Sequence, residues 1–221
     1  GDADGIGSAM SATAEIAPRR RLCEADRLRL LREAAEAIFL RDGYAAARMD
    51  DVAHLAGMSK RTLYQHFPSK AALFEAVMED CLLPFKHDVP LEEGVDLACA
   101  LRNILLALMR HLFQPRQVAI FRLIIGEVKR SPELADAFHR AGPGKGTGAL
   151  EYRLDAEIAA GRLALPDARE ASRMLLGMAI GASQMFLLLG LQGPPTEAEM
   201  EQRVCDAVDV FLRGAARDPA A

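Results

Sequence analysis

The chain is predicted to be all-α, with a three-helix head and a larger helical body, about nine to ten helices in all. Three observations predict this. Apolar residues recur at spacings of three and four from Leu28 to Phe211, and nowhere do they alternate with polar ones as a half-buried strand requires. The pattern breaks at Gly43, Pro68, Pro84, Pro90, Gly161 and Gly193-Pro194-Pro195, residue types that end or restart helices. Met49 to Lys70, MDDVAHLAGMSKRTLYQHFPSK, has the spacing of two short helices joined by a tight turn. With 221 residues, 51% of them hydrophobic, there is ample apolar surface to bury in a soluble globular protein.

The first helix is expected from Glu24 to Asp42, where Leu28, Leu31, Ala35, Ile38 and Phe39 make one apolar stripe and Gly43 stands at the C′ position. In the second, Ala53 is small enough for another helix to cross closely. Gly57 falls where the turn wants a positive φ, and Leu63 is the apolar anchor of the third helix. That helix opens at Ser59, a hydroxyl cap, and presents Lys60, Arg61, Thr62, Tyr64, Gln65 and His66, side chains that reach phosphates and base edges. No acidic residue lies between Asp51 and Glu75, so this surface is locally positive. Tyr64 and Lys70 are expected at phosphates; Lys60, Arg61, Thr62 and Gln65 are the candidates for base edges.

The run Gly43 to Val77 resembles the N-terminal helix-turn-helix domain of the TetR/AcrR transcriptional regulators. The resemblance rests on Gly43-Tyr44, on Asp51-Val52-Ala53 with Ala56-Gly57, and on Thr62-Leu63-Tyr64 followed by His66-Phe67, Ser69-Lys70 and Leu73. One departure is Ala47-Arg48, where the family usually has a hydroxyl residue opening the second helix; Asp50 is then the expected substitute cap and Arg48 a phosphate contact. The resemblance implies a homodimer that places two recognition helices in successive major grooves of a near-palindromic operator in double-stranded DNA. It also implies an unknown small-molecule effector that enters the C-terminal domain and releases the DNA, so the expected function is a ligand-responsive repressor. A helical module that binds a protein partner is the alternative.

Ser69 caps a fourth helix, carried by Leu73, Phe74, Val77, Met78, Cys81 and Leu82 up to Pro84. The division between a DNA-binding domain, 19–86, and an effector and dimerisation domain, 87–221, is placed between Lys86 and Pro90. Further helices are expected over Leu91–Phe113, Pro115–Arg130, a short piece to Arg140 opened by Ser131 as hydroxyl cap with Pro132 in the first position, Ala149–Ala160, Asp167–Leu189 and Thr196–Gly214. Residues 1–18 are expected to be a disordered tail, with Gly1 left by a trimmed tag, and Arg19-Arg20-Arg21 an arm near the DNA backbone.

The net charge of −4 conceals an asymmetry: between Arg19 and Lys86 there are twelve Lys/Arg against ten Asp/Glu, so the basic end is the end with the motif. Four cysteines, at 23, 81, 99 and 205, form no CxxC pair and no zinc-like spacing with the histidines, so reduced and mostly buried thiols, no metal and a cytoplasmic location are expected. Gly142-Pro143-Gly144-Lys145-Gly146-Thr147-Gly148 has Gly rather than Ser or Thr after its lysine and no preceding strand, so it reads as a connector rather than a phosphate loop. No nucleophile elbow, HExxH or dinucleotide fingerprint occurs, and neither a catalytic residue nor a cofactor is expected.

Met174 to Leu191 is free of formal charge. A soluble helix buried nearly all round explains it better than a membrane span. Such a helix needs a second partner, and the subunit contact is therefore expected at Gly177, Gly181 and Met185, joined by Met200, Val204, Val208 and Phe211 of the last helix. The effector pocket is expected among Met109, Phe113, Phe121, Ile125, Met174, Met178 and Phe186, with Arg122, Tyr152 or Gln184 as its polar handle.

Overall fold

Helices α1 (Glu24–Asp42), α2 (Met49–Leu55), α3 (Lys60–His66) and α4 (Lys70–Cys81) form the head of the protein, seen in a computed structural model that describes residues 23–82, 94–142 and 148–215. The body follows as α5 (Leu97–Leu112), α6 (Pro115–Glu127), α7 (Glu133–Ala141) and α8 (Ala149–Ala159). It closes with α9 (Ala168–Leu176), a π-turn (Gly177–Gly181), α10 (Ala182–Leu188) and α11 (Glu197–Ala215), and no strand occurs among the described residues. The arginine arm, the proposed boundary near Lys86–Pro90 and most of the Gly142–Gly148 connector lie outside the described residues.

Most starts and stops follow from local chemistry. Ser69 Oγ accepts from the Ala72 amide at 3.1 Å to open α4. Thr196 and Glu199 form a capping box at α11, the Thr196 amide donating to Glu199 Oε2 at 2.7 Å and the Glu199 amide to Thr196 Oγ1 at 3.3 Å. Two expectations differ. Helix α7 begins after Pro132 with no side-chain cap, the first turn closing instead through the Ser131 and Pro132 carbonyls. The expected helix over Asp167–Leu189 is one run from Ala168 to Leu188 that widens into the π-turn between two glycines, an effect that helical periodicity does not encode.

Two hydrophobic cores organise the molecule. The first joins α1–α4 to Ile120 and Ile124 of α6 and to Leu134, Ala137 and Ala141 of α7. Within it Phe39, Tyr44 and Phe74 meet with ring centroids 5.3 to 5.5 Å apart. The second is built from α5, α8, α9, the π-turn, α10 and α11, with Val118 of α6. Where the cores meet, the end of α4 is held by a buried polar group. Cys81 Sγ donates to Gln117 Oε1 at 2.5 Å, Gln117 Nε2 donates to the Cys81 carbonyl at 3.1 Å, and His111 Nε2 lies 2.9 Å from that carbonyl. Burial pushes the Cys81 thiol up to about 11, so it is an unreactive donor. The four thiols are free as expected, but Cys23 and Cys99 are exposed, because they stand at or near helix N-termini rather than on apolar faces.

Among the described residues, one charged side chain, that of Glu157, is buried in the body. Glu157 of α8 receives Arg162 Nε at 2.5 Å and lies 3.5 Å from Arg153, its side chain 7% exposed. The Arg162 hydrogen bond holds its carboxyl below the ordinary glutamate value against the opposing effect of burial. A folded-state value below the unfolded one stabilises the protein at neutral pH, and that contribution disappears as pH falls through the folded value. Glu157→Gln is therefore expected to be less stable than wild type at pH 7, with the gap closing on acidification below about pH 4. Urea unfolding at the two pH values checks it; a gap independent of pH would rule out the charge as the cause.

Candidate nucleic-acid interface

Chain reversal between α2 and α3 rests on Gly57, whose φ of 67° is the left-handed value the turn requires. The Met58 amide returns to the Ala53 carbonyl at 2.9 Å, and buried Val52, Ala53 and Leu63 lock the two helices together. Ser59 Oγ accepts from the Thr62 amide at 3.1 Å and lies 2.9 Å from Thr62 Oγ1, so both hydroxyls are engaged in the cap.

At about 100° per residue, positions 60, 61, 64 and 65 of a helix share one arc of roughly 140°. In α3 that arc is Lys60, Arg61, Tyr64 and Gln65, all exposed, while Leu63 points the opposite way into the core. Half-buried Thr62 lies beyond the Gln65 edge of the arc, and half-buried His66 falls between Thr62 and Leu63 on the side away from it. Arg48 is exposed at the N-cap of α2, which has no side-chain cap. The expected substitute, Asp50, instead pairs with Lys60 at 2.7 Å, across the gap between α2 and α3. That hydrogen bond holds the Asp50 carboxyl down and the Lys60 ammonium up.

Lys70 departs from expectation. Its ammonium donates to the carbonyls of Tyr44, Ala45 and Ala47 at 2.8, 3.1 and 3.1 Å and sits 4.7 Å from the centre of the Tyr44 ring. It braces the α1–α2 turn instead of facing outward to a phosphate, because three backbone carbonyls of that turn converge on it. From the body, Glu127 at the end of α6 accepts from the Ala45 amide of the same turn at 2.8 Å. Burial pushes the Tyr44 hydroxyl up to about 12, with Glu133 adding a smaller effect. Glu127 is a residue that the sequence does not flag, because no local signal identifies a partner 82 residues away.

The expected effector residues do not converge. Met109 and Phe113 are core, and Phe121 packs on Phe138 with centroids 5.4 Å apart. Arg122 donates to the Leu188 and Leu187 carbonyls at 3.0 and 2.7 Å, while Gln184 is half-buried. Ile125, Tyr152, Met174, Met178 and Phe186 are exposed. Apolar periodicity places them all on helices, but on different faces. A cleft of about 980 Å³ between the π-turn, the 192–195 loop and α11 takes in only Met109 and Met178 of this set, alongside polar Gln202, Arg203 and Asp206.

The subunit-contact set also divides. Gly177, Gly181 and Met185 are exposed, whereas Met200, Val204, Val208 and Phe211 are buried in their own protomer, where α11 packs on α5. The run Ala168–Leu188 is long and apolar enough to cross a membrane, but one face of it is packed against α8 and α11. Among the described residues no group of side chains could hold a metal ion.

A head with this turn, this exposed basic arc and this buried triplet is a helix-turn-helix DNA-binding unit. Residues 31–77 match the model of bacterial regulatory proteins of the tetR family, and residues 99–214 match the C-terminal domain of AefR-like transcriptional repressors. The chain belongs to the TetR family: it is a DNA-binding, ligand-responsive transcriptional regulator, not an enzyme. Regulators of this family bind operator DNA, typically as dimers, and are soluble cytoplasmic proteins. Among solved structures, the flavonoid-responsive regulator FrrA is 32% identical, the similarity covering 89% of this chain and 100% of that one, with a TM-score of 0.74. A DNA-binding transcriptional repressor TetR of Mycobacteroides abscessus is 27% identical over 183 residues, 81% of this chain and 90% of the relative. The transcriptional activator FasR of Mycolicibacterium smegmatis is 52% identical, but only over 46 residues, 21% of each chain.

Proposed function

We propose that the protein is a homodimeric repressor that occupies a near-palindromic operator and is released by a small apolar or aromatic molecule bound within the helical body. The observation that carries the DNA reading is the exposed arc of Lys60, Arg61, Tyr64 and Gln65, bordered by Thr62, with exposed Arg48 at the start of α2. Repression is favoured over activation because the likeness to a repressor domain spans residues 99–214, whereas the likeness to an activator is confined to 46 residues. An aromatic effector is favoured by the flavonoid-responsive relative. Selection of bound duplexes from a random pool by the purified protein, followed by titration of the winner across salt concentrations, tests the reading. A two-half-site sequence with a steep salt dependence is expected; a pool that enriches nothing would favour the protein-partner module instead.

Base reading belongs to Arg61 and Gln65, which stand exposed on the arc, whereas Lys60 is paired with Asp50 and the Thr62 hydroxyl is engaged in the cap. Arg61→Ala or Gln65→Ala is expected to cost about 1–3 kcal/mol at one base pair per half-site and to change which sequence wins the selection. Unchanged winners for both variants would remove these two residues from the base-reading set.

A further inference from the structure

Helix α6 alone, among the described residues, contributes to both hydrophobic cores, through Ile120 and Ile124 on the head side and Val118 on the body side. It is also fastened at two points along its second half. Arg122 donates through Nε and Nη2 to the Leu188 and Leu187 carbonyls at 3.0 and 2.7 Å, so its guanidinium closes the C-terminal end of α10, where helix carbonyls and the dipole favour a cation. Five residues on, about 7.5 Å along the helix axis, Glu127 accepts the Ala45 amide at 2.8 Å. Its second oxygen fits against the same turn, since a Cβ built on Gly43 would fall 2.7 Å from Glu127 Oε1. Gly43, with φ of 80°, leaves that room, and the position would be strained for any other residue.

The turn gripped in this way runs directly into Arg48 and α2. Its carbonyls are taken by Lys70 from within the head, and its Ala45 amide is taken by Glu127 from the body. Elsewhere head and body meet through the apolar packing of α4 on α7, the buried Cys81–Gln117–His111 group and the two-pronged ion pairs Arg116–Glu36 and Arg140–Glu75, none of which holds the backbone of the α1–α2 turn. We propose that Arg122 and Glu127 make α6 a strut between the end of α10 and the α1–α2 turn, and that these two positioning residues fix the angle of the DNA-binding head for operator binding. Neither touches DNA. Simultaneous engagement of two half-sites needs both heads at one angle and spacing, whereas non-specific binding to phosphates does not. The strut therefore acts on specific affinity and leaves non-specific affinity alone.

This inference rests on the operator-binding dimer proposed above, and its test separates the two. Hydrogen exchange at the amides of residues 44–47 is measured in the full-length protein without DNA. Titrations follow with the duplex selected by wild type and with a scrambled duplex of equal length. Glu127→Ala is expected to speed exchange at Ala45 and to weaken selected-duplex binding about tenfold, the scale of one charge-assisted hydrogen bond. Scrambled-duplex affinity and the salt slope are expected to stay unchanged. Glu127→Gln keeps a carbonyl acceptor for the amide and is expected to recover most of the loss. Arg122→Ala is expected to give a similar selective loss, and the double variant to be little worse than either single one, since both cut the same strut. Should Glu127→Ala not fold, Arg122→Ala carries the same comparison. Unchanged exchange at Ala45, equal losses on both duplexes, or single-site losses that multiply to about a hundredfold would each overturn the strut. If wild type selects no duplex, the operator reading fails while the exchange result still decides whether Glu127 holds the turn.

Discussion

Lys70→Ala is expected to destabilise the DNA-binding head by about 2–4 kcal/mol and to lower the unfolding midpoint by about 5–12 °C. The ammonium serves three carbonyls at 2.8 to 3.1 Å, and two of those hydrogen bonds are partly buried. Hydrogen bonds to a charged group contribute about 1.5–3 kcal/mol each. Partial exposure and a shared donor keep the sum below three full bonds. Loss of the charge also removes the contact with the Tyr44 ring, worth about 0.5–1 kcal/mol where exposed. Operator binding is expected to weaken in step with the loss of folded head, at every salt concentration alike. A lysine that held a phosphate would behave differently, its removal flattening the salt slope by about one unit with little change in stability. Thermal unfolding by circular dichroism and titrations at two salt concentrations distinguish these outcomes. An unaltered midpoint together with a flattened slope would return Lys70 to the phosphate-contact role.

The contrast between Lys70 and its neighbours marks what a sequence can convey. Ser59, Ser69 and Gly57 are legible because caps and left-handed turns are local: the partner of each is within five residues, and the residue type carries its own reason. Lys70 is ambiguous in sequence because a lysine beside a recognition helix is equally suited to a phosphate or to three carbonyls, and only the approach of the α1–α2 turn decides between them. Arg122 is a similar case, a ligand handle by residue type that is committed to the end of α10. For α11 the periodicity of Met200, Val204, Val208 and Phe211 correctly indicates a buried stripe, but a stripe does not say whether α5 of the same chain or a second chain covers it. The π-turn has no signal beyond its glycines, since one extra residue per turn alters which faces align without altering composition.

The largest effect of all is expected at a surface left exposed among the described residues. Along Ala168–Leu188, the exposed positions Met174, Met178, Gly181 and Met185 repeat at intervals of three and four, with exposed Gly177 beside Met178 and with Met174 58% and Met185 56% exposed. Val210 of α11 adds a further exposed apolar side chain, and the cleft beside it contains both Met178 and Val210. An apolar stripe of this length, beside two glycines that let a neighbouring backbone approach, is built to receive another helix. In the homodimer proposed above, a second copy about a two-fold axis would supply one, with every contact made twice. Gly181→Leu is the sharpest probe, because the position is exposed and a Cβ built there meets no described atom within 4 Å, so a lost dimer with an unchanged unfolding temperature points to the partner contact. Met178→Glu would place two unpaired carboxylates in the same contact, at a cost of several kcal/mol for each buried charge. Both variants are expected to run as monomers that unfold near the wild-type temperature. Operator affinity should fall by about a hundredfold or more, because the second half-site is no longer tethered to the first. Light scattering after size exclusion at micromolar concentration, with operator titration of the same samples, decides the matter. A monomeric wild-type protein, or a Gly181→Leu protein that dimerises and binds as before, would require a different face for the subunit contact.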